Sequence, residues 1–336
     1  GYEWSDSIIS GIAQTVNQEL DNYELFVEYM DTKRNFSDEY LDDFYRFIKK
    51  KYKKNFFDAA IVSDDNAFQF IRKYRSELLG DCPVIFTGVN HFQEEMLNGH
   101  EEYMTGIIQY ADMEKIIKTA LGLFPDTKQI VFLHDNSATG EAYYKQILSV
   151  RENFSEIKFI HINGQDFTTG EMIKEIARLP ENSVVLLCVW LKDSQGAVIT
   201  PERSYSAITG NSSVPVLGTL DLMLKYDILG GYIQSGYQQG KESALMTAEI
   251  LKGKSIKDIP VETKKTNQYI FNYPQMIKWG VSEDILPEGS FILGKQLSLY
   301  EQYRFVVWGI LLFILILLGL LILAVINIIQ RKKLQK

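Results

Sequence analysis

Cysteine and histidine are scarce in this chain, with two and four among 336 residues. Cys82 and Cys188 lie in separate apolar runs, and neither belongs to a C-x-x-C or Cys/His spacing. This pattern predicts two buried free thiols rather than a disulfide framework or a zinc site. Two cysteines do not identify a redox compartment. The sequence therefore gives no reason to expect a metal or a cofactor, and we predict neither.

Short motifs of common enzyme sites are missing as well. The chain has no G-x-S-x-G, no G-x-x-x-x-G-K-[ST] and no H-E-x-x-H. The nearest approach to a catalytic pair is His134-Asp135, but neighbours on a strand point to opposite faces, which favours a core or surface histidine. The acidic pair Asp64-Asp65 has no further oxygen ligands in a metal-binding spacing, so it is weak support for Mg²⁺ or Ca²⁺. We predict that this portion is not an enzyme.

An excess of positive charge is also absent. The formal charge is -8, without a basic face or an arginine-rich arm. A polyanion needs such a surface, so nucleic acid is excluded as a partner. With 46% hydrophobic and 23% charged residues, the composition is that of a globular protein.

One long uncharged run stands near the C-terminus, from Phe305 to Ile329. Its 25 residues, at about 1.5 Å each, exceed the roughly 30 Å hydrocarbon core of a bilayer. The alternative is a buried core helix, but the run is apolar on every face. The basic stretch 330–333 follows the run and only Arg304 precedes it, so residues 1–304 are predicted outside the cell membrane and residues 330–336 begin a cytoplasmic region.

Before this run, short apolar segments alternate with amphipathic ones. The predicted strands are Tyr23 to Met30, Phe57 to Val62, Pro83 to Thr87, Met104 to Gln109, Gln129 to Leu133, Lys158 to Ile162, Val184 to Val189, Val214 to Leu217 and Gly231 to Gln234. The predicted helices are Asp38 to Lys53, Ala67 to Leu79, Met113 to Phe124, Gly140 to Asn153, Glu171 to Leu179 and Gly240 to Leu251. This alternation predicts an α/β protein with parallel sheets covered by helices, and the number of strands favours two lobes.

Polar or aromatic residues follow the predicted strands. They are Ser63, Asp64, Asp65 and Asn66, then Thr87, Gly88 and Asn90, then Asp135 and Asn136, and finally Trp190, Thr219, Asp221, Ser235 and Tyr237. Ligands of open α/β sheets bind beyond the carboxyl ends of strands, so this clustering predicts a small-molecule cleft between two lobes. The alternative for the residues after Val62 is that they cap the next helix.

Several segments carry a family resemblance. They are GYEWSDSIISGI, SDDNAFQFIRKYR, CPVIFTGVN, VPVLGTLDLMLKYDILGGYIQSGYQQGKESALMTAEILKGKSIKDIPV and WGVSEDILPEGS. In this order they resemble the periplasmic-binding-protein-like sensor domains, of the ABC-transporter substrate-binding type, that lie outside the membrane in bacterial histidine kinases and diguanylate cyclases. The resemblance implies two Rossmann-like lobes of the type I periplasmic-binding-protein kind.

The resemblance also implies a division of the chain. The first lobe would hold residues 1–109 and 230–253, and the second lobe 110–229 and 266–287. A connector, 288–304, would lead to the membrane helix, 305–329. In the family, the segment that corresponds to GYEWSDS follows a strand that ends at the cleft, so we expect a first strand and a signal or membrane segment ahead of Gly1.

The ligand expected from these residues is an amino acid or an aromatic amine. The resemblance brings Tyr2, Glu3 and Trp4 to the cleft. Aromatic faces would come from Tyr2, Trp4, Trp190 and Tyr237, and an ammonium group would pair with Asp64, Asp65 or Asp221. Ordinary packing is the alternative for each aromatic residue.

Two functions are compatible with this pattern. The first is the extracytoplasmic portion of a homodimeric transmembrane receptor, of histidine kinase or diguanylate cyclase type, that signals through its membrane helix. The alternative is a membrane-tethered solute-binding protein of an ABC transporter. A membrane span on the C-terminal side of the binding domain favours the receptor, because delivery to a transporter needs only an N-terminal anchor.

Overall fold

The computed structural model describes residues 3–32, 35, 37–53, 56–90, 92–263, 266–295 and 299–334. The chain forms two compact units, Gly1–Leu293 and Gly294–Lys336, and each is described by itself. The helices of the first unit are α1 (Glu3–Glu19), α2 (Asp38–Lys51), α3 (Asp65–Leu78), α4 (Met113–Leu123), α5 (Ala138–Val150), α6 (Thr169–Ile176), α7 (Pro201–Asn211), α8 (Gly236–Leu251) and α9 (Tyr273–Trp279). Its strands are β1 (Ala60–Ser63), β2 (Val84–Val89), β3 (Met104–Ile108), β4 (Gln129–His134), β5 (Lys158–Asn163), β6 (Ser183–Leu187), β7 (Val216–Gly218), β8 (Gly230–Gln234), β9 (Asn267–Asn272) and β10 (Phe291–Leu293).

The strands form two sheets. Among the described residues, the first sheet has the order β1-β2-β3 and is parallel, and the second has the order β10-β9-β8-β7-β6-β4-β5. Of the strand pairs that the described residues form in the second sheet, only β8/β9 is antiparallel. We call the first sheet with α1, α2, α3 and α8 the first lobe, and the second sheet with its helices the second lobe. The predicted α/β class with mainly parallel sheets is confirmed.

Central strands of the second sheet bury both of their faces. Along β4 and β6, Phe132 and Leu186 enter one apolar core, while Val131 and Val185 enter the core on the opposite face. Each of these side chains is at most 2% exposed, which contributes roughly 2 kcal/mol of transfer free energy per residue. Each of these strands is therefore an apolar run that contributes side chains to both cores. This explains why apolar and polar residues do not alternate along it.

Polar residues at the ends of strands start the following helices. Asp64 Oδ1 accepts a hydrogen bond from the Asp65 amide at the start of α3. Ser137 Oγ accepts the Gly140 amide at the start of α5, and the Ser235 side chain caps α8. These bonds satisfy amides that have no partner within the helix. The strand-end signal in the sequence thus includes helix capping.

Helices α1 and α8 cross in direct backbone contact. A Cβ atom built on Gly11 would lie 2.2 Å from the Tyr237 carbonyl oxygen, and one built on Gly240 would lie 1.9 Å from the Ile8 carbonyl oxygen. Only glycine leaves room for such an approach, because any other residue places a carbon atom at that position. This close contact with α1 positions α8, which also packs on the first sheet.

The predicted strand Tyr23 to Met30 is wrong: this segment belongs to neither sheet of the described chain. A strand requires a neighbour for its amide and carbonyl groups, but between this segment and β1 lies a groove of about 1240 Å³. Leu25 and Phe26, each 43% exposed, are among the apolar residues at its wall. The strand that we expect ahead of Gly1 stays a prediction.

The chain passes between the lobes at several places. We call these the crossings: residues 109–112, Ser235 and, as the described residue immediately before β9, Thr266. Strand β8 pairs within the second sheet and α8 packs in the first lobe, so the crossing between them lies at Ser235. The sequence assigns residues 230–253 to the first lobe, and the structure moves the start of that segment by about five residues. The lobe boundaries otherwise stay a prediction. Helices α1, α7 and α9 and strands β9 and β10 add to the elements predicted from sequence.

The second unit contains helix α10, Leu299–Leu334. Its segment Tyr303–Arg331 is long and apolar enough to cross a membrane, and it is the one such helix among the described residues. The uniform apolarity of the run explains why the sequence alone located it.

Candidate ligand-binding cleft

The carboxyl ends of β1 and β2 form one rim of the candidate cleft. Ser63 and Thr87 are register partners, and the Asp64 amide donates to the Thr87 carbonyl oxygen at 3.0 Å. The Asp65 carboxylate accepts the backbone amide of Asn90 at 3.0 Å and its side-chain Nδ2 at 2.9 Å. The two loops are thereby tied together. We call residues 63–66 and 87–90 the first-lobe rim.

Two further bonds complete this rim. Asn66 Nδ2 donates to Thr32 Oγ1 at 3.0 Å, which connects the rim to the extended segment beside the groove. Gly88 has a φ of +70°, a conformation that glycine adopts without strain. Its amide donates to Gln239 Oε1 at 3.2 Å. The structure thus brings the seven predicted residues that follow β1 and β2 into one cluster.

Asp135 occupies the corresponding edge of the second lobe but is fully buried. Its Oδ1 accepts the amide of Ser137 at 3.0 Å, and its Oδ2 accepts the amide of Leu191 at 2.7 Å. The carboxylate therefore joins the loops that follow β4 and β6. Asn136, the next residue, is exposed. Thr219 is buried, and its hydroxyl donates to the Cys188 carbonyl oxygen at 3.2 Å.

Asp221 lies where the second lobe meets α8. It begins a 3-10 turn, Asp221–Tyr226, and its Oδ2 accepts the Gly236 amide at 3.0 Å. Burial raises the pKa of Asp221, although hydrogen bonds from Ser235 and from backbone amides oppose this effect. A partly desolvated carboxylate of this kind gains more from an incoming cation than an exposed one does, because its charge is poorly solvated.

The predicted aromatic residues occupy packed positions. Trp190 is fully buried in the second lobe, and its indole N–H donates to Thr169 Oγ1 at 3.2 Å. Trp4 is 6% exposed and packs in the first lobe. The Tyr237 hydroxyl donates to Gln14 Oε1 of α1 at 2.7 Å. These three contacts correspond to ordinary packing, the alternative interpretation of the aromatic residues.

The start of α1 contributes an ion pair instead of a stacking surface. The Glu3 carboxylate contacts the Lys225 ammonium group of the second lobe, and both side chains are about half exposed. Such a pair contributes little to stability in water. Tyr2, also predicted at the cleft, lies outside the described residues.

Two residues near the rim were not predicted from sequence. Tyr110 follows Gln109, the first residue after β3, and is 36% exposed. Burial, together with Asp112 and Glu114, raises its pKa. Its place after a strand is the signal that could have identified it. Gln239 is fully buried. The sequence pattern gave no signal for it, because the predicted helix begins one residue later, at Gly240.

A stacked histidine pair lies on the second lobe. The Nε2 atoms of His134 and His161 contact each other, and the Tyr144 ring stacks on His161 with centroids 4.2 Å apart. His134 Nδ1 lies 2.9 Å from the Asp135 carbonyl oxygen. Among the described residues, no group of three or more His, Cys, Asp or Glu side chains is arranged to hold a metal ion. The pair is therefore a packed, hydrogen-bonded feature of β4 and β5.

This pair predicts a loss of stability in mild acid. Burial and the neighbouring His134 lower the pKa of His161, against the opposing charges of Asp166 and Glu141. The unfolded chain, in which a histidine has a pKa of about 6.5, then binds the proton more readily. We expect the free energy of unfolding to be unaffected above about pH 6.5 and to fall below it, as measured by urea denaturation from about pH 8 to about pH 5.

The replacement His161→Phe should reduce this dependence on pH. A residual slope is expected, because burial and two nearby arginines also lower the pKa of His100. An unchanged slope in His161→Phe would show that His161 is not responsible.

The two lobes, the crossings between them and the polar rim at the carboxyl ends of parallel strands define a two-lobed solute-binding protein of the periplasmic-binding-protein type. The family described as "ABC transporter substrate binding protein" matches residues 76–288, more than half of the chain. The chain belongs to this family. No curated protein matches the chain significantly.

Solved structures share the fold at low sequence identity. An ABC domain in complex with L-Trp from Streptococcus pneumoniae is 14% identical, with a TM-score of 0.61 over 87% of this chain and 96% of that chain. A ligand-free, open substrate-binding protein from Clostridium difficile is 15% identical, with a TM-score of 0.61 over 88% and 97% of the two chains. Likeness at this identity establishes the fold alone.

Proposed function

We propose that this chain is the extracytoplasmic sensing portion of a bacterial transmembrane receptor of the histidine kinase or diguanylate cyclase type. A small molecule binds between the lobes, and the membrane helix carries the resulting change to a cytoplasmic output domain. The observation that supports this proposal is that a two-lobed binding domain and a membrane-length helix occur in one chain. Strand β10 ends at Leu293 and α10 begins at Leu299. Residues 1–304 lie outside the membrane in this proposal.

The ligand class that fits best is an amino acid, with an aromatic amine as a second choice. The first-lobe rim supplies Asp64 and Asp65, and the second lobe supplies Asp221, so the cleft edges carry carboxylates suited to an ammonium group. The relative from S. pneumoniae, which has the same fold, was crystallised with L-Trp. Tyr110, which lies in the first crossing, adds a partly exposed aromatic surface.

Signalling requires that the ligand bind one arrangement of the lobes better than another. A short connection from the second sheet to α10 lets such a difference bias the helix, and a receptor dimer would express it as a change between two copies of α10. The alternative is a membrane-tethered solute-binding protein of an ABC transporter. In that protein α10 is a passive anchor, and contacts between copies of α10 do not change when the ligand binds.

Disulfide cross-linking of α10 in membranes distinguishes these two functions. Single cysteines at successive positions from Ile316 to Gly319 sample every face of the helix, while the native Cys82 and Cys188 are buried and stay unreactive. For a receptor we expect L-tryptophan to change the rate of cross-linking by about threefold at one or more positions, which corresponds to a coupling free energy below 1 kcal/mol.

Calorimetric titration of the same chain with a panel of amino acids provides the control, because it shows whether the ligand is bound. Binding without any change in cross-linking supports the tethered solute-binding protein. If no amino acid or aromatic amine binds, the proposed ligand class is wrong.

A further inference from the structure

Gln239 makes an unusual set of contacts for a buried amide. Its Oε1 accepts the Thr87 hydroxyl at 2.5 Å and the Gly88 amide at 3.2 Å. Its Nε2 donates to Thr266 Oγ1 at 3.0 Å and to the Ile108 carbonyl oxygen at 3.4 Å. The side chain is fully buried. Both ends of the amide are therefore satisfied by protein groups, which is the condition under which a buried polar group is stable.

The partners of this amide belong to separate parts of the chain that meet at one place. Thr87 and Gly88 are part of the first-lobe rim. Ile108 ends β3 and precedes the first crossing, and Thr266 ends the third crossing immediately before β9. Gln239 itself lies in the first turn of α8, directly after the crossing at Ser235. The side chain thus contacts the rim, the end of β3 that leads into the first crossing, and Thr266 of the third crossing. Its own backbone lies in the helical turn that follows the second crossing.

Other bonds hold the crossings beside one another. The Ser235 amide donates to the Thr266 carbonyl oxygen at 3.1 Å, and Asn267 Nδ2 donates to the Tyr110 carbonyl oxygen at 2.9 Å. The first bond joins the second crossing to the third, and the other joins the first crossing to the start of β9. The contacts of Gln239 differ from these bonds because they also include Thr87 and Gly88 of the rim.

An apolar side chain at position 239 would fill the same space but would remove hydrogen bonds from its neighbours. The Gly88 amide and the Thr266 hydroxyl would lose their bonds to the side chain. The Thr87 hydroxyl would keep only its 3.3 Å bond to the backbone carbonyl oxygen of residue 239. Leaving such groups unsatisfied is costly, so they would shift to find other partners. Since these neighbours belong to the crossings and the rim, the shift would alter the hinge and the cleft together.

We propose that Gln239 is a positioning residue that ties the end of β3, the start of α8 and Thr266 to the ligand-binding rim, and so couples the three crossings to that rim. The lobes then rotate relative to each other as rigid bodies, and the rim moves with the hinge. This inference deepens the proposed two-lobed binding function and rests on it. It assigns to Gln239 no contact with the ligand.

The test measures the distance between the lobes in the full chain in detergent by pulsed electron paramagnetic resonance. Spin labels are placed at Ser76→Cys of the first lobe and Ser155→Cys of the second lobe, because both serines are exposed. In the absence of ligand, we expect Gln239→Met to broaden the distribution of distances by about twofold, as a loosened hinge allows more arrangements. The milder Thr266→Val, which removes one acceptor, should broaden it less.

The matched control is Ser243→Ala, one turn further along α8. Ser243 is also fully buried, but its hydroxyl donates to the Gly240 carbonyl oxygen within the helix. We expect it to lower the midpoint of thermal unfolding without broadening the distribution. If Gln239→Met and Thr266→Val lower the midpoint but leave the wild-type distribution unchanged, Gln239 is structural only and the inference is overturned.

A second arm adds L-tryptophan to the labelled proteins. The wild type should shift to a narrow, shorter distance, and Gln239→Met should require about tenfold more L-tryptophan for the same shift. If the wild type shows no shift, the proposed ligand class fails for this probe. The ligand-free distributions still decide the role of Gln239, so the two failures are distinguishable.

Discussion

Replacing Gly240 by alanine is expected to lower the free energy of unfolding by about 3 kcal/mol, since the added methyl group overpacks a close helix crossing. The new Cβ atom would lie 1.9 Å from the Ile8 carbonyl oxygen and 3.0 Å from the Ile12 amide nitrogen. Both atoms belong to the backbone of α1, so no side chain can turn away to make room. Urea denaturation monitored by circular dichroism measures the effect.

Gly122→Ala is the matched control, because Gly122 lies in α4 with nothing within 4 Å of the position of its Cβ atom. Alanine in a helix loses less conformational entropy on folding than glycine, so this variant should be more stable by about 0.5 to 1 kcal/mol. Similar effects of the two substitutions, in either direction, would contradict the close crossing of α1 and α8.

Replacing Asp221 by asparagine is expected to weaken the binding of L-tryptophan by about 100-fold, because an ammonium group would lose a partly buried charged partner. The asparagine Oδ1 atom can still accept the Gly236 amide, so the fold around the start of α8 should be retained. Isothermal titration calorimetry measures the affinity, and thermal unfolding of the free protein measures any loss of stability.

The dependence of binding on pH provides a second measurement of the same interaction. Since burial raises the pKa of Asp221, its carboxylate takes up a proton at a higher pH than an exposed aspartate does. Affinity of the wild type should therefore be full at neutral pH and decline on acidification, while the asparagine variant should be insensitive to pH in this range.

Asp126→Asn is the control for charge, because Asp126 is exposed and lies in the loop before β4. It should leave the affinity for L-tryptophan unchanged. If Asp221→Asn also binds like the wild type, the ammonium group is held elsewhere, and Asp64 and Asp65 of the first-lobe rim become the next candidates.

The candidate site was only partly predictable from the sequence. Residues that follow strands were identified because strand ends of parallel sheets meet at one edge, and the first-lobe rim confirms that Asp65 and Asn90 lie together. The position after a strand did not show which of these residues face the cleft and which are buried in the core. Asp135 uses both carboxylate oxygens to join two loops, and Trp190 is buried in the same core as Val131 and Val185. A residue that faces the cleft and a residue that turns into the core both follow a strand, so the sequence does not distinguish them.

Local signals in the sequence determined the elements that depend on their own residues. The apolar runs of β4 and β6, the capping side chains of Asp64 and Ser137, and the uncharged stretch of α10 each follow from short-range patterns. Burial on two faces, satisfaction of helix amides and length against a bilayer are properties of a single segment. They can be evaluated before any neighbour is known.

Only the tertiary structure decided features that depend on pairing between distant segments. Tyr23 to Met30 has the composition of a strand but remains outside both sheets of the described chain, because a ladder requires a partner at hydrogen-bonding distance. Gln239 stands just ahead of the predicted helix Gly240 to Leu251, yet it lies within α8 and is fully buried among groups from residues 87 to 266. Hydrogen bonds across such separations form only after the chain has folded back on itself, so no local pattern encodes them.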